Sequence, residues 1–528
     1  MLSGSGGLPD SVASGEGSGV YDFVVVGAGS AGATLAARLT EDPSIRVMLV
    51  EAGPDYASAE QVPPDLLDSR DLAGLSHDWG FTAELGRNRT IPYRRGKVVG
   101  GTSAINAAAA LWGSPDDFAE WAALGNREWA WDKVIPYFAR LEDDPDGQGA
   151  LHGRGGPIPI QRYARHEWTA FQGAFFEASL GAGFVAVADH NVAETSGVGP
   201  WPMNRRGPTR VSTAQAYLGP ARQRPNLTIL PRSLGSRIIF AGRQATGVEL
   251  LTDGATAVVG AGRVVLSAGA IGSPAILLRS GIGPAAALRR LGIAALVDLA
   301  GVGAHLWDHP SITLRLLPRA DQFDAVRDPR FQVVARYTAA GSPAVNDMLL
   351  VPLGRVDVSG MPALHRQVGQ SVIVGIAVAL MRPRAPGRLE LASADPWIPP
   401  KITLDAAAHL DDQRRLLDGV RRAWRIARSP ELMSVTERVV DLDERTLESD
   451  AALSAYIRAN IGTFCHAVGT VPMGPNDDSG AAVDGYGRVR GLDNVWVVDA
   501  SIMPAVPRAV PNLTTIMLGE RIAEWLRT

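Results

Sequence analysis

Two side chains near the C-terminal end are of the types that proton-transfer chemistry uses. His466 lies in "GTFCHAVGTVPMG" directly after Cys465, the only cysteine of the chain, and Asn512 lies in "VPNLTTIM". An imidazole titrating near neutrality can accept a proton from a hydroxyl at physiological pH. Three arrangements fit the local residues: Cys465 as nucleophile with His466 as its base, the pair as metal ligands, or His466 acting without its neighbour. Adjacent residues of an extended segment point to opposite sides, which disfavours a shared proton. A metal site needs further Cys/His ligands at ligand spacing, and no such cluster accompanies the pair. On residue types alone His466 also reads as a hydrogen-bonded core histidine. Asn512 likewise reads as the cap of a helix whose apolar side holds Ile516, Met517, Ile522 and Leu526.

A second set of residues lies at the other end of the chain. In "YDFVVVGAGSAGATLAARLTEDPSIRVMLVEAG" an apolar run, Phe23 to Val26, precedes Gly27, Gly29 and Gly32 in G-x-G-x-x-G spacing, with Ser30 and Ala31 between the last two. An Ala/Leu-rich helical stretch follows to about Leu39, and a second apolar run, Val47 to Val50, ends in Glu51. The order predicts strand, tight turn, helix and strand. Glycines there let backbone amides approach a pyrophosphate at a helix N-terminus, and an acid nineteen residues past the last glycine accepts from ribose hydroxyls. The motif implies a dinucleotide but does not choose between NAD and FAD.

The elements that position these residues belong to a chain of 528 residues, long enough for two domains with a large core. With 46% hydrophobic and 20% charged residues, 58 Gly and 36 Pro, the composition is that of a loop-rich globular protein. A formal charge of −4 and the lack of any Lys/Arg run exclude a nucleic-acid partner. One cysteine excludes an internal disulfide and fits a reducing, cytoplasmic compartment. Residues 1–20 are Gly/Ser-rich without a basic start or apolar core, so they read as a disordered tail and not a secretion signal. The longest strongly apolar run, Val372 to Met381, is half the ~20 residues needed to span a bilayer and is predicted as a buried strand, leaving no transmembrane segment.

Further segments narrow the choice of nucleotide. "GKVVGGTSAINAAAALWGSPDDF" and "GAIGSPAILLRSGIG" resemble the two signature segments of the glucose-methanol-choline (GMC) oxidoreductases, which use FAD. The similarity extends through "WAWDKVIPYF", "RVSTAQAYLGPARQRPNLTIL" and "GVGAHLWDHP" to the tail from "HAVGTVPMG" through "VWVVDASIMP" to "PNLTTIMLGERIAEWL". The resemblance implies an α/β fold: a Rossmann-like FAD domain of residues 21–160, 208–310 and 463–528, and a discontinuous substrate domain of 161–207 and 311–462. In the latter a mainly antiparallel sheet roofs the flavin.

Carried over residue by residue, Gly27, Gly29 and Gly32 line the pyrophosphate with Ser30 and Ala31, and Glu51 holds the adenosine ribose. Gly101, Thr102 and Asn106 lie along pyrophosphate and flavin, and Asp499 and Ala500 lie near the ribityl chain. Gly235 stands where the family commonly has a Val against the adenine, so it is left out of the predicted site. His466 takes the place of the catalytic base. Asn512 takes that of its partner, donating to the substrate oxygen while its helix aims a positive N-terminus at the flavin. His309 in "DHP" is read as a packing and hydrogen-bonding residue. Ile105 falls where some members attach the flavin through a histidine, which implies non-covalent FAD.

The implied activity is oxidation of a primary alcohol by hydride transfer to flavin N5 with O2 as acceptor. The His/Asn pairing resembles that of the hydroxymethylfurfural and aryl-alcohol oxidases, so the alcohol is expected to be aryl or furanic. A dehydrogenase using a quinone or protein acceptor and a non-redox hydroxynitrile lyase retaining FAD are the alternatives. Cys465, small where relatives carry a large aromatic, is expected to widen the pocket, and Arg508 to bind a substrate carboxylate.

Overall fold

The computed structural model describes residues 21–86, 89–192, 195–252 and 254–528, so the predicted disordered tail lies outside the described residues. The opening apolar run forms the strand Tyr21–Val26, paired in parallel with Val47–Val50 on one side and with the end of Ala255–Leu266 on the other. Leu227–Leu230 and Val495–Val497 extend this parallel sheet at its two edges. Val24, Val25, Val47, Met48, Leu49, Val264 and Val265 are all fully buried, because a parallel sheet is covered on both faces and its strands read as unbroken apolar runs. The helix Ser30–Leu39 returns across the sheet, and the C-terminal helix Asn512–Arg527 packs against it. Their approach is close. A Cβ on Gly519 would lie 2.9 Å from the Ala31 carbonyl oxygen.

The strand Ala255–Leu266 serves two neighbourhoods. Its first half pairs antiparallel with Gln244–Thr252, which in turn pairs with Leu234–Ala241, while its second half continues into the parallel sheet.

The second sheet is antiparallel, in the order Thr436–Val439, Pro310–Pro318, Val372–Leu380, Met348–Asp357, Val333–Tyr337, Gly197–Pro200, with the short Gly462–Thr463 beside Pro310 and Ser311. The run predicted as a buried strand is thus its central strand. On one face Met348, Leu350 and Val378 pack with Leu416, Val420 and Ala423 of the helix Leu410–Ala427. On the other, Val334, Leu349, Val351, Ala377 and Ala379 join Ala108, Ala109, Leu111, Ala509 and Val510 in a separate apolar cluster. That second face adjoins the segments carrying the catalytic candidates.

The strands of the parallel sheet come from 21–50, 227–266 and 495–497, and those of the antiparallel sheet from 197–200, 310–380 and 436–463. A four-stranded sheet joins the two bodies of sequence, because Thr82–Leu85 and Arg89–Pro92 pair with Lys401–Leu404 and, through it, Arg388–Glu390. Among the described residues no helix is long and apolar enough to cross a membrane.

Candidate active site

A cavity of about 400 Å³ is walled by the turn after Tyr21–Val26, by residues 95–109 and 267–279, and by the segments around His466 and Asn512. The first turn supplies one wall. Gly27 has φ +104°, and a Cβ there would sit 2.4 Å from the Ser267 carbonyl oxygen. Gly101, at φ +53°, lies so near the turn that its Cβ would be 2.6 Å from Gly29 Cα. A Cβ at either position would collide with neighbouring backbone, so the cradle that Gly27, Gly29, Ser30, Ala31, Gly101 and Thr102 form around the cavity depends on glycine there. Gly32 departs from the expectation. It is not on the wall, and a Cβ there would meet the Gly27 carbonyl oxygen at 1.9 Å. Its glycine lets helix and strand close together.

Glu51, at the end of Val47–Val50, accepts from Ala28 N at 3.0 Å and Gly53 N at 2.8 Å. Burial pushes its carboxyl up to about 7 against these backbone donors. Asp499 accepts from Gly269 N at 2.9 Å and Ser273 Oγ at 2.6 Å through one oxygen, and from Ser501 N at 2.8 Å through the other. Burial likewise raises its pKa. Asn106 accepts from Ala108 N at 2.9 Å through its Oδ1. Asn106, Asp499 and Ala500 all line the cavity, as does Gly235. A Cβ on Gly235 would lie 2.5 Å from Val26 Cγ1, so the wall there is bare backbone. Gly235, left out of the predicted site, thus stands on the cavity wall.

His466 and Asn512 share this cavity. Asp308 organises the histidine segment. Its Oδ1 accepts from His309 N at 2.6 Å and His466 N at 2.7 Å, while Oδ2 accepts from Tyr93 OH at 2.6 Å and from the Thr463 hydroxyl. The His466 ring meets His309 with Nδ1 to Nδ1 at 2.8 Å, and His309 Nε2 lies 3.0 Å from the Pro507 carbonyl oxygen. Burial, then His309 and Arg95, hold the His466 pKa well below its ordinary value. Asn512 opens the C-terminal helix but is not its cap residue, a place taken by Pro511. Its Oδ1 instead accepts from Ser30 Oγ at 2.8 Å, which leaves the Nδ2 donor for the cavity.

Cys465 has φ +59° and lines the cavity, and burial pushes its thiol up to about 11. Its carbonyl accepts from Arg95 Nη1 at 2.6 Å. Arg95 is itself a wall residue, along with the stacked pair Trp79 and Phe81. Sequence reasoning missed all three. Only Arg95 lies close to the Gly100-Gly101 pair, and nothing in the spacing of the three marks them. Arg508 is a correction. Its Nε donates to Asp117 Oδ1 at 2.8 Å, its backbone N to Asp117 Oδ2 at 3.0 Å and its Nη1 to Val345 O at 2.9 Å, and it is not on the cavity wall. The guanidinium is paired with a buried carboxylate away from the cavity wall. Elsewhere Glu142, Asp144 and His152 gather ligand-type atoms within 4.8 Å, but Arg162 Nη1 already sits 2.8 Å from Asp144 and supplies the cation.

The chain matches the GMC oxidoreductase N-terminal domain over residues 21–311 and the C-terminal domain over 383–519. It is 37% identical to 5-(hydroxymethyl)furfural oxidase of Methylovorus sp. (strain MP688), over 96% of this chain and 99% of that protein. It is 34% identical to oxygen-dependent choline dehydrogenase 1 of Chromohalobacter salexigens, over 96% and 95%. Among solved structures, pyridoxine 4-oxidase from Mesorbium loti superimposes with a TM-score of 0.87 at 31% identity, over 96% of this chain and 99% of that one.

Proposed function

The chain belongs to the GMC oxidoreductase family, FAD enzymes acting on CH–OH donors, and we propose that it oxidises a primary alcohol of aryl or furanic type to the aldehyde, with O2 as electron acceptor. The residues present fit FAD. Gly27, Gly29, Ser30, Ala31, Gly101 and Thr102 form a bare cradle for the pyrophosphate, Glu51 keeps acceptor capacity for ribose hydroxyls, and Asn106, Asp499 and Ala500 complete the wall. FAD bound there supplies a two-electron acceptor for hydride. Non-covalent attachment is supported by Ile105, which has no nucleophilic atom and is buried in an apolar cluster with Leu66 and Ala104.

The observation that carries the reading is the shared wall of His466 and Asn512. His466 takes the hydroxyl proton, and its depressed pKa keeps the ring in the neutral, accepting form. With Oδ1 engaged by Ser30, the Asn512 amide donates to the substrate oxygen and holds the hydroxyl towards the base without competing for the proton. Val510, Ala107 and Ala109 line the cavity beside them, which favours an apolar substrate body. Oxygen as acceptor is supported by relatives named as oxidases and as an oxygen-dependent dehydrogenase.

The test is to add aryl and furanic alcohols to the yellow protein with and without air, measuring peroxide alongside. Bleaching without air and peroxide with air is expected. Anaerobic bleaching without rapid reoxidation in air would replace O2 by a quinone or protein acceptor. No bleaching with any alcohol would favour a non-redox lyase. Acid precipitation should release all yellow colour to the supernatant, and flavin retained on the pellet would overturn non-covalent attachment.

A further inference from the structure

The chain of polar atoms behind His466 ends on a group that can only accept. Pro507 O has no proton, so His309 Nε2, 3.0 Å away, must carry one and donate it. In a neutral ring the other nitrogen is then an acceptor. His309 Nδ1 lies 2.8 Å from His466 Nδ1, so the proton between them belongs to His466. That leaves His466 Nε2 bare. Resting on the assignment of His466 as base, we propose that His309 is a positioning residue that fixes His466 in its Nδ1–H tautomer and thereby makes Nε2 the atom that takes the substrate's hydroxyl proton.

Atoms and electrons balance. The hydroxyl proton goes to Nε2, the carbinol hydride with its electron pair would be taken by FAD held in the glycine cradle, and the C–O bond becomes a carbonyl. His466 is then an imidazolium whose Nδ1–H still donates to His309. Asp308 cannot take over this role, because its oxygens are engaged by His309 N, His466 N, Tyr93 OH and the Thr463 hydroxyl. The charged groups acting on the pair are Asp308 and Asp117 on the His309 side and Arg95 on the His466 side. A neutral acceptor behind the base has a consequence that a carboxylate would not. It sets the tautomer without stabilising the imidazolium by a full charge, so the base stays neutral in its buried site.

The test uses ¹⁵N-histidine-labelled holoprotein, with His466 signals identified by their loss in His466→Gln. The parent should show His466 protonated at Nδ1 and not at Nε2. His309→Leu, which removes the acceptor, should lose that preference and slow anaerobic flavin reduction roughly ten- to a hundredfold, part of the ~10² to 10⁴ that a positioned general base contributes. His309→Gln, able to accept from His466 and donate to Pro507, should recover most of both. A parent His466 protonated at Nε2 would overturn the proposal even if neither variant folds. So would Leu and Gln variants alike in tautomer and rate. The predicted tautomer in a protein that no alcohol bleaches would support the positioning role and overturn the oxidation reading alone.

Discussion

The two walls of the cavity are built on different principles. One wall is made of backbone, where Gly27, Gly101 and Gly235 leave no room for a Cβ and the main chain itself borders the cavity. The opposite wall is made of side chains: His466 donates to Asp308 and His309, Asn512 accepts from Ser30, and both stand beside an apolar sheet face. Backbone contact is unforgiving of one added carbon but indifferent to chemistry. Side-chain contact tolerates substitution sterically while losing a specific proton or donor.

The comparison predicts failures of different kinds on the two walls. Gly101→Ala should be the most severe. It adds a carbon 2.6 Å from Gly29 Cα at a φ of +53°, so the protein should purify without yellow colour. FAD bound at parental stoichiometry would mean the two backbones can part, and that this wall is less rigid than its geometry implies.

His466→Ala should keep FAD and slow reduction by ~10² to 10⁴, the usual worth of a general base. Parental reduction would remove His466 from the mechanism. The pH dependence sharpens the point. Protonation abolishes the base, and burial lowers the pKa of His466, so reduction should be level through neutrality and fall only on the acid side of the ordinary histidine value of about 6.5. A fall centred above that value would contradict a buried neutral ring.

Asn512→Ala should cost less. A hydrogen bond between neutral groups is worth about 0.5–1.5 kcal/mol, or roughly two- to twelvefold in rate. Its loss also frees Ser30 Oγ, which donates to Asn512 at 2.8 Å, so Ser30→Ala should produce a weaker version of the same defect. If Asn512→Ala proves more damaging than His466→Ala, the two roles are reversed.

The same division explains what was legible in the sequence. Glycine spacing and apolar runs register close approach directly, so the opening strand, turn and helix, Glu51 and the buried strand 372–380 are all readable from the order of residues alone. The placement of Gly32 in packing is not, because spacing records that a Cβ is forbidden and not which neighbour forbids it. On the other wall the identity of His466 and Asn512 came through family resemblance, while their supports did not. His309 is 157 residues from His466 and Ser30 is 482 from Asn512, and no local pattern encodes pairings across such separations. Arg95, Trp79 and Phe81 were invisible for the same reason: nothing distinguishes an arginine or aromatic facing a cavity from one on a surface.

Arg508 tests the comparison where sequence reasoning and structure part. Four residues before Asn512, a guanidinium was expected to meet a substrate carboxylate, but it is bonded to Asp117 at 2.8 Å, with Asp117 in turn accepting from Ser114 N at 2.7 Å. The pair is buried, with side-chain exposures of 6% and 1%. Arg508→Met should therefore act on the fold and hardly at all on substrate choice. Removing one partner of a buried pair strands the other charge, at a cost of about 3–5 kcal/mol in stability, which a denaturant titration would read. Arg508→Met/Asp117→Asn, which removes both charges, should recover part of that loss. On matched neutral and carboxylated aryl alcohols the ratio of efficiencies should equal the parent's, since the side chain is not on the cavity wall. A selective loss on the carboxylated member would put Arg508 in contact with substrate and make the side-chain wall larger than the structure draws it.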